Sequence, residues 1–244
     1  MSQASFFTLS QLECYHMPKR GFFIALEGTD GSGKTTQFKL LVRALRRAGW
    51  RVETVDFPQY GRASAYFVEQ YLNGFYGSAR EVGARRASLF YALDRFATAP
   101  QIRLWLKQGR VVVANRYTWS NAAHQGGKMA SLRARQQYWN WLFDLEFKLL
   151  GIPKPDLTLL IHMSAATAQR LVDKKGSREY LKGVRRDIHE DDLKHLKNAE
   201  KAYLGLAQRY KLLKVECEQG SKLLTPQQIH RKVWQKVKTK LSQR

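Results

Sequence analysis

Apolar and polar positions along the chain follow two periods that replace one another. Phe22-Phe23-Ile24-Ala25-Leu26 is an unbroken apolar run between Gly21 and Gly28, the pattern of a strand buried on both faces of a parallel sheet. After a glycine-rich loop, Phe38, Leu41, Val42 and Leu45 recur at helical spacing, Lys39, Arg43, Arg46 and Arg47 take the other face, and Gly49 supplies a stop. The alternation continues with a strand over Arg51–Phe57, an apolar helix near Leu89–Leu106 and a third strand over Arg110–Ala114. Gln136–Phe147 is too long and too aromatic for a strand and reads as a buried helix. Its tryptophans belong to the core or a subunit interface rather than to a base-stacking platform. Gly151-Ile152-Pro153-Lys154-Pro155 breaks the chain before a fourth strand, Asp156–His162; a helix over Asp191–Tyr210 and a fifth strand at Leu212–Cys217 follow. Ile229, Val233, Val237 and Leu241 then fall at i, i+4, i+8 and i+12, and the six Lys and Arg from Arg231 to Arg244 face no acid.

Strands reached through helices imply right-handed βαβ units. The expected fold is therefore α/β: a three-layer α/β/α sandwich with a five-stranded parallel sheet. At 244 residues, with no linker or internal repeat, one domain of residues 21–244 follows a short extension of residues 1–20.

Composition changes the picture in two ways. Forty-two Lys and Arg against twenty Asp and Glu give a net charge of +22, which attracts polyanions and exceeds what a nucleotide site uses. Cys14 and Cys217 are far apart and form no CxxC pair, so neither a disulfide framework nor a zinc site is indicated, and a reducing cytoplasm is expected. No apolar run approaches the ~20 residues of a membrane span, and residues 1–20 do not have the pattern of a secretory signal.

Between the first strand and first helix lies Gly28-Thr29-Asp30-Gly31-Ser32-Gly33-Lys34-Thr35, a complete G-x-x-x-x-G-K-[ST] phosphate loop. Its glycines let backbone N–H groups point at phosphate oxygens, and the helix N-terminus adds partial positive charge. Gly28, Gly31, Ser32, Gly33, Lys34, Thr35 and Thr36 are the expected ATP-binding residues. Lys34 would reach the β- and γ-phosphates, and Thr35 would place its hydroxyl on Mg²⁺.

The phosphate loop does not identify the acceptor, but the order of motifs after it resembles the thymidylate kinase family from about Gly21 to Ile229. LEGTDGSGKTTQ, Phe57-Pro58, Tyr91-Ala92-Leu93-Asp94-Arg95, Asn115-Arg116-Tyr117, Ser120 to Gly127, Pro153 to Leu157 and a basic segment at Arg178–Glu190 occur in the family's order. The resemblance implies the P-loop NTPase fold, transfer of a phosphoryl group from ATP to dTMP with Mg²⁺, and a homodimer. It also implies a lid at about 173–190 and an adenine site near Glu216–Lys222. Asp30 would accept a hydrogen bond from the acceptor's 3′-hydroxyl. Phe57 would line the acceptor site, Tyr91 would stack on a pyrimidine, and Arg95 would donate to a base carbonyl. Arg116 would grip the acceptor phosphate, while Ser120, His124 and Gln125 would line the base and sugar pocket. Arg178 and Arg185, with Arg186 as third choice, would bring lid charge onto the transferring phosphoryl group.

The chain departs from the family's pattern at two positions. Asn115 stands where the family has Asp before Arg-Tyr/His, so no charge is available there. Gln59-Tyr60-Gly61-Arg62 follows Phe57-Pro58 where many members have an arginine close by, leaving Arg62 as a shifted substitute or acceptor binding altered. Competing readings are a kinase for another deoxynucleoside or nucleoside monophosphate, a non-catalytic dTMP binder, and a nucleic-acid-associated P-loop ATPase. Against the last, no acidic Walker B strand ending and no nucleic-acid-binding motif is visible, so nucleic acid is expected to bind only non-specifically through the basic surface.

Overall fold

The first strand, β1 (Phe22–Glu27), alternates its side chains between two cores. Phe22, Ile24 and Leu26 enter one hydrophobic cluster, and Phe23 and Ala25 enter another on the opposite face. A strand buried on both faces needs a helical layer on each side. The computed structural model of the chain, which describes residues 20–173, 193–220 and 222–243, has this arrangement.

On the first face pack α1 (Lys34–Arg47) and α8 (Pro226–Ser242). Leu41, Val42 and Leu45 of α1 meet Ile229, Val233, Val237 and Leu241 of α8, the four apolar positions expected from the terminal helix's spacing. Thr225 starts α8 with a reciprocal capping box to Gln228, and Pro226 occupies its first turn, where a missing N–H costs nothing. On the second face lie α3 (Ala79–Lys107), α4 (Thr118–Gly126), α5 (Leu132–Phe143) and α7 (Leu193–Tyr210). Ser78 caps α3 through a capping box with Glu81, and the helix is interrupted at Gly83, whose φ is 73°. A π-helical turn, Asp144–Leu149, continues α5. Trp139 of α5 is fully buried and donates from Nε1 to Ala122 O at 3.0 Å; Trp141 packs at the edge of the same cluster.

The remaining strands are β2 (Val52–Asp56), β3 (Val111–Asn115), β4 (Leu157–His162) and β5 (Leu213–Glu216). They lie in the order β2-β3-β1-β4-β5, and every pair is parallel. This is the expected three-layer fold with five strands. The connection after β1 runs through α1 to β2 at one edge, whereas the connection after β3 runs to β4 on the other side of β1, so a crevice opens beyond the carboxyl ends of the central strands, where open α/β sheets bind ligands. Two shorter helices, α2 (Tyr66–Leu72) and α6 (Ala165–Asp173), flank that crevice, and β6 (Glu218–Gln219) pairs with β7 (Lys222–Leu223) in a small hairpin. Residues 1–19 of the expected extension and 174–190 of the expected lid, including Arg178, Arg185 and Arg186, lie outside the described residues, as does Cys14. Among the described residues no helix is long and apolar enough to cross a membrane.

Candidate active site

The crevice has two connected halves. The phosphate half begins where β1 ends: Gly28, Gly31 and Gly33 have φ of 150°, 78° and 82°, values that side-chain-bearing residues avoid. Two of these glycines also lack room for any side chain. A Cβ on Gly28 would stand 2.4 Å from Ile161 O, and one on Gly31 would stand 2.2 Å from Ala168 O. The loop is thus pressed against the end of β4 and against α6, and its backbone shape follows from the glycines. Lys34, Thr35 and Thr36 open α1 and line the cleft together with Gly31, Gly33, Asp56, Arg62 and Asn115. Lys34 is buried, and its Nζ donates to Thr29 O at 2.6 Å. Ser32 is fully buried, and its Oγ has no hydrogen-bond partner. The Glu216–Lys222 segment adjoins this loop, since Cys217 Sγ lies 3.9 Å from Ser32 O. Burial pushes the Cys217 thiol up to about 12, so it stays protonated at neutral pH.

The second half is a pocket between α3 and α4. Phe57, Pro58, Leu72 and Tyr91 supply apolar walls; Arg95, Ser120, Asn121, His124 and Gln125 supply polar ones. Asp30, Phe57, Pro58, Tyr60 and Arg116 line both halves. Every described acceptor residue expected from the sequence, namely Asp30, Phe57, Tyr91, Arg95, Arg116, Ser120, His124 and Gln125, is therefore gathered at one hollow. Arg62, at the N-terminal boundary of the 3₁₀ turn Ala63–Ala65, lies in the phosphate half.

Asp30 and Arg116 form a salt bridge at the junction. Arg116 follows β3 with a φ of 66°, a left-handed conformation uncommon outside glycine and a form of strain that concentrates at functional sites. It also donates to Ser120 Oγ at 3.2 Å and meets His124 Nε2 at 3.3 Å. Burial disfavours its charge, but Asp30, Tyr203 and Glu27 outweigh that cost and hold its pKa above the ordinary value. For His124, burial and then the Arg116 charge act in the same direction and push the imidazole well below its usual pKa. His124 is neutral at pH 7 and packs 3.2 Å from His195 Nε2 of α7.

Two buried carboxylates hold this pocket, and neither was singled out from the sequence. Glu27, the last residue of β1, accepts from Tyr117 N at 2.8 Å, Ser120 Oγ at 2.5 Å and Tyr203 Oη at 3.1 Å. Burial raises its pKa, and these hydrogen bonds oppose the rise. Glu146 accepts from Arg95 Nε at 2.7 Å and Nη2 at 2.5 Å, from Thr118 Oγ1 at 2.8 Å and from Asn121 Nδ2 at 3.1 Å. Arg95 is only 2% exposed, so the expected base contact falls to what its bidentate pairing with Glu146 leaves of the guanidinium.

Asn121 of α4 lines the pocket as well, with no role expected from its sequence position. Its Nδ2 donates to Ser88 O and to Glu146. The amide orientation is thereby fixed, and Oδ1 is buried with no partner. Gln125 Oε1 is likewise buried and unpartnered. Two unsatisfied acceptors beside apolar and aromatic walls match a ligand that brings its own N–H donor.

The thymidylate kinase family model matches residues 26–229. Thymidylate kinase of Mycobacterium tuberculosis is 34% identical over 185 residues, covering 75% of this chain and 85% of that protein. The Homo sapiens thymidylate kinase is 32% identical over 152 residues, covering 62% of this chain and 66% of that one. A solved thymidylate kinase structure from Candida albicans superposes with a TM-score of 0.68 at 23% identity, covering 90% of this chain and 92% of that one; this match concerns the fold.

Proposed function

The chain belongs to the thymidylate kinase family, an ATP-dependent nucleoside monophosphate kinase that phosphorylates dTMP to dTDP, and we propose that the two halves of its cleft divide the task between donor and acceptor. ATP lies along Gly28, Gly31, Ser32, Gly33, Lys34, Thr35 and Thr36, with adenine toward Glu216–Lys222. Lys34 leaves Thr29 O and donates to the β- and γ-phosphates. Arg116 and Arg62 hold the acceptor phosphate, and Asp30 accepts from the 3′-hydroxyl. Asn121 Oδ1 and Gln125 Oε1 accept from the pyrimidine N3–H, Tyr91 stacks on the ring, and Phe57 and Leu72 face its methyl edge. Ser120 orients Arg116, and neutral His124 packs by the sugar. Arg178 and Arg185 add charge from the lid segment. Transfer is in-line without a covalent enzyme intermediate, so rate comes from positioning and electrostatic stabilisation.

The residues present fit a magnesium ion. Thr35, Asp56 and Asn115 present oxygen donors in the phosphate half, and Asn115 Oδ1 is buried without a partner. Magnesium keeps phosphate and water ligands, so a few protein oxygens suffice to hold it. Bound with ATP, Mg²⁺ would neutralise charge on the β- and γ-phosphates, with Thr35 as its protein ligand.

The observation that carries this reading is the Asp30–Arg116 pair, lining both halves. It joins a phosphate loop to the pocket between α3 and α4, so that the phosphates of two bound nucleotides would meet there. Ordered family motifs and relatives do not favour a nucleic-acid ATPase or a different acceptor class. A homodimer is supported by Leu89, Leu93 and Phe96, which stand about one turn apart on α3 and are 40%, 44% and 46% exposed. Such an apolar stripe is a candidate subunit interface. We place the enzyme in the cytoplasm, where the buried thiol of Cys217 stays reduced. The test is ADP formation from ATP and Mg²⁺ with dTMP, dUMP, ribosyl-TMP, thymidine, dCMP, dGMP or no acceptor. Stimulation by dTMP above the others is expected, and equal rates with and without acceptor would refute the assignment.

A further inference from the structure

A phosphate-binding cleft should not contain an uncompensated carboxylate, because two negative charges a few ångströms apart repel. Among the described residues, the acids lining the phosphate half are Asp30 and Asp56. Asp30 is paired with Arg116. Asp56, the last residue of β2, is exposed to the cleft and contacts Asn115, the last residue of β3 and its partner in the sheet register. Asn115 Nδ2 donates to Asp56 Oδ1 at 3.0 Å. Since a carboxylate only accepts, this bond fixes the amide orientation and turns Asn115 Oδ1 to the other side, where it is buried with no partner. Adjacent strand ends therefore place the exposed Asp56 carboxylate, held by the Asn115 amide, in the cleft that Lys34 and Thr35 also line, and leave one unsatisfied oxygen on Asn115 behind it. The carboxylate is a hard oxygen donor of the type that suits magnesium or its bound water.

We propose that Asp56 is the carboxylate facing the nucleotide-bound magnesium ion and that Asn115 is its positioning residue. This rests on the phosphoryl-transfer reading above. The charge missing at position 115 is supplied one strand over. Parallel pairing of β2 with β3 puts residues 56 and 115 side by side, so exchanging their roles leaves the charge in the same corner of the cleft. Bound there, the cation would offset the repulsion between Asp56 and the phosphates, and Asn115 would hold the carboxylate toward it through Nδ2.

The test uses Mn²⁺ as the probe, with free ion counted by electron paramagnetic resonance, on the full chain saturated with a non-hydrolysable ATP analogue. Asp56→Asn should weaken Mn²⁺ binding about 10-fold, the low end of the range for groups that support metal ligands. It should leave metal-free nucleotide binding unchanged or tighter, a response that simple structural damage would not produce. Adding Asn115→Asp to that variant should recover most of the lost affinity. Asn115→Ala, which keeps the charge and removes its support, should weaken Mn²⁺ binding about threefold, within the usual spread for one lost hydrogen bond. It also provides the readout should Asp56→Asn not fold. Mn²⁺ affinity within twofold of wild type in the folded variants would overturn the role of Asp56. Mn²⁺ binding to the nucleotide-loaded protein needs no acceptor, so failure of dTMP to stimulate the wild type would overturn the acceptor assignment separately.

Discussion

The base pocket and the phosphate half of the same cleft are built by opposite means. In the pocket, side chains are held by side chains. Glu146 is shared by Arg95, Thr118 and Asn121, and Glu27 by Tyr117, Ser120 and Tyr203, all in the interior. In the phosphate half the backbone sets the shape, through glycines with positive φ and a helix N-terminus. A backbone cradle recognises phosphate, a group common to many ligands, whereas a locked array of side chains recognises one arrangement of donors and apolar edges. The two halves should therefore fail differently when mutated: the pocket in stability and acceptor choice, the cradle in turnover.

The largest effect is expected at Glu146. Glu146→Ala leaves the buried Arg95 guanidinium unpaired, which costs about 3–5 kcal/mol of folding stability; urea unfolding measures it, and a loss below ~1 kcal/mol would break the contrast. Lys34→Ala should lower kcat about 10²–10³-fold while costing less stability than Glu146→Ala, as steady-state kinetics and the same urea titration show. Gln125→Met removes an acceptor that has no partner in the protein. It should raise KM for dTMP about 10-fold with little change in kcat or stability.

The smallest effect concerns pH. His124 has a folded-state pKa depressed by burial and by Arg116, so the unfolded chain takes up this proton first as pH falls. Its contribution to stability is complete above the ordinary histidine value of about 6.5 and declines below it, by no more than about 1.4 kcal/mol per pH unit. His124→Phe should flatten the dependence of urea midpoint on pH between 6.5 and 5.5, and an unchanged slope would show that other groups control it.

The same contrast explains what could be read from the chain. The phosphate cradle is contiguous in sequence, so its strand, glycines, lysine and helix appear in order, and the three central strands β1, β3 and β4 show as apolar runs for the same local reason. The pocket is assembled from distant positions. Glu146 reads as a lone acid in an aromatic segment, and nothing local pairs it with Arg95, 51 residues earlier. Helix α4 buries Thr118, Ser120, Asn121 and Gln125, polar residues that hide its helical period because its inward face carries the site. Asp56 at the end of β2 gains meaning only beside Asn115, an adjacency created by sheet register. Arg95 shows how an expectation can hold in place and change in detail: it lines the pocket as expected, with two of its nitrogens already committed to a carboxylate.

Transfer to dTMP is tested most directly by chromatographic quantification of products from ATP, Mg²⁺ and dTMP with the full chain. Phosphoryl transfer to dTMP predicts dTDP and ADP in equal amounts, dTDP formation about 10²–10³-fold slower with Lys34→Ala, and little ADP when dTMP is withheld. ADP accumulating without dTDP would contradict it, since the phosphoryl group would then be going to water.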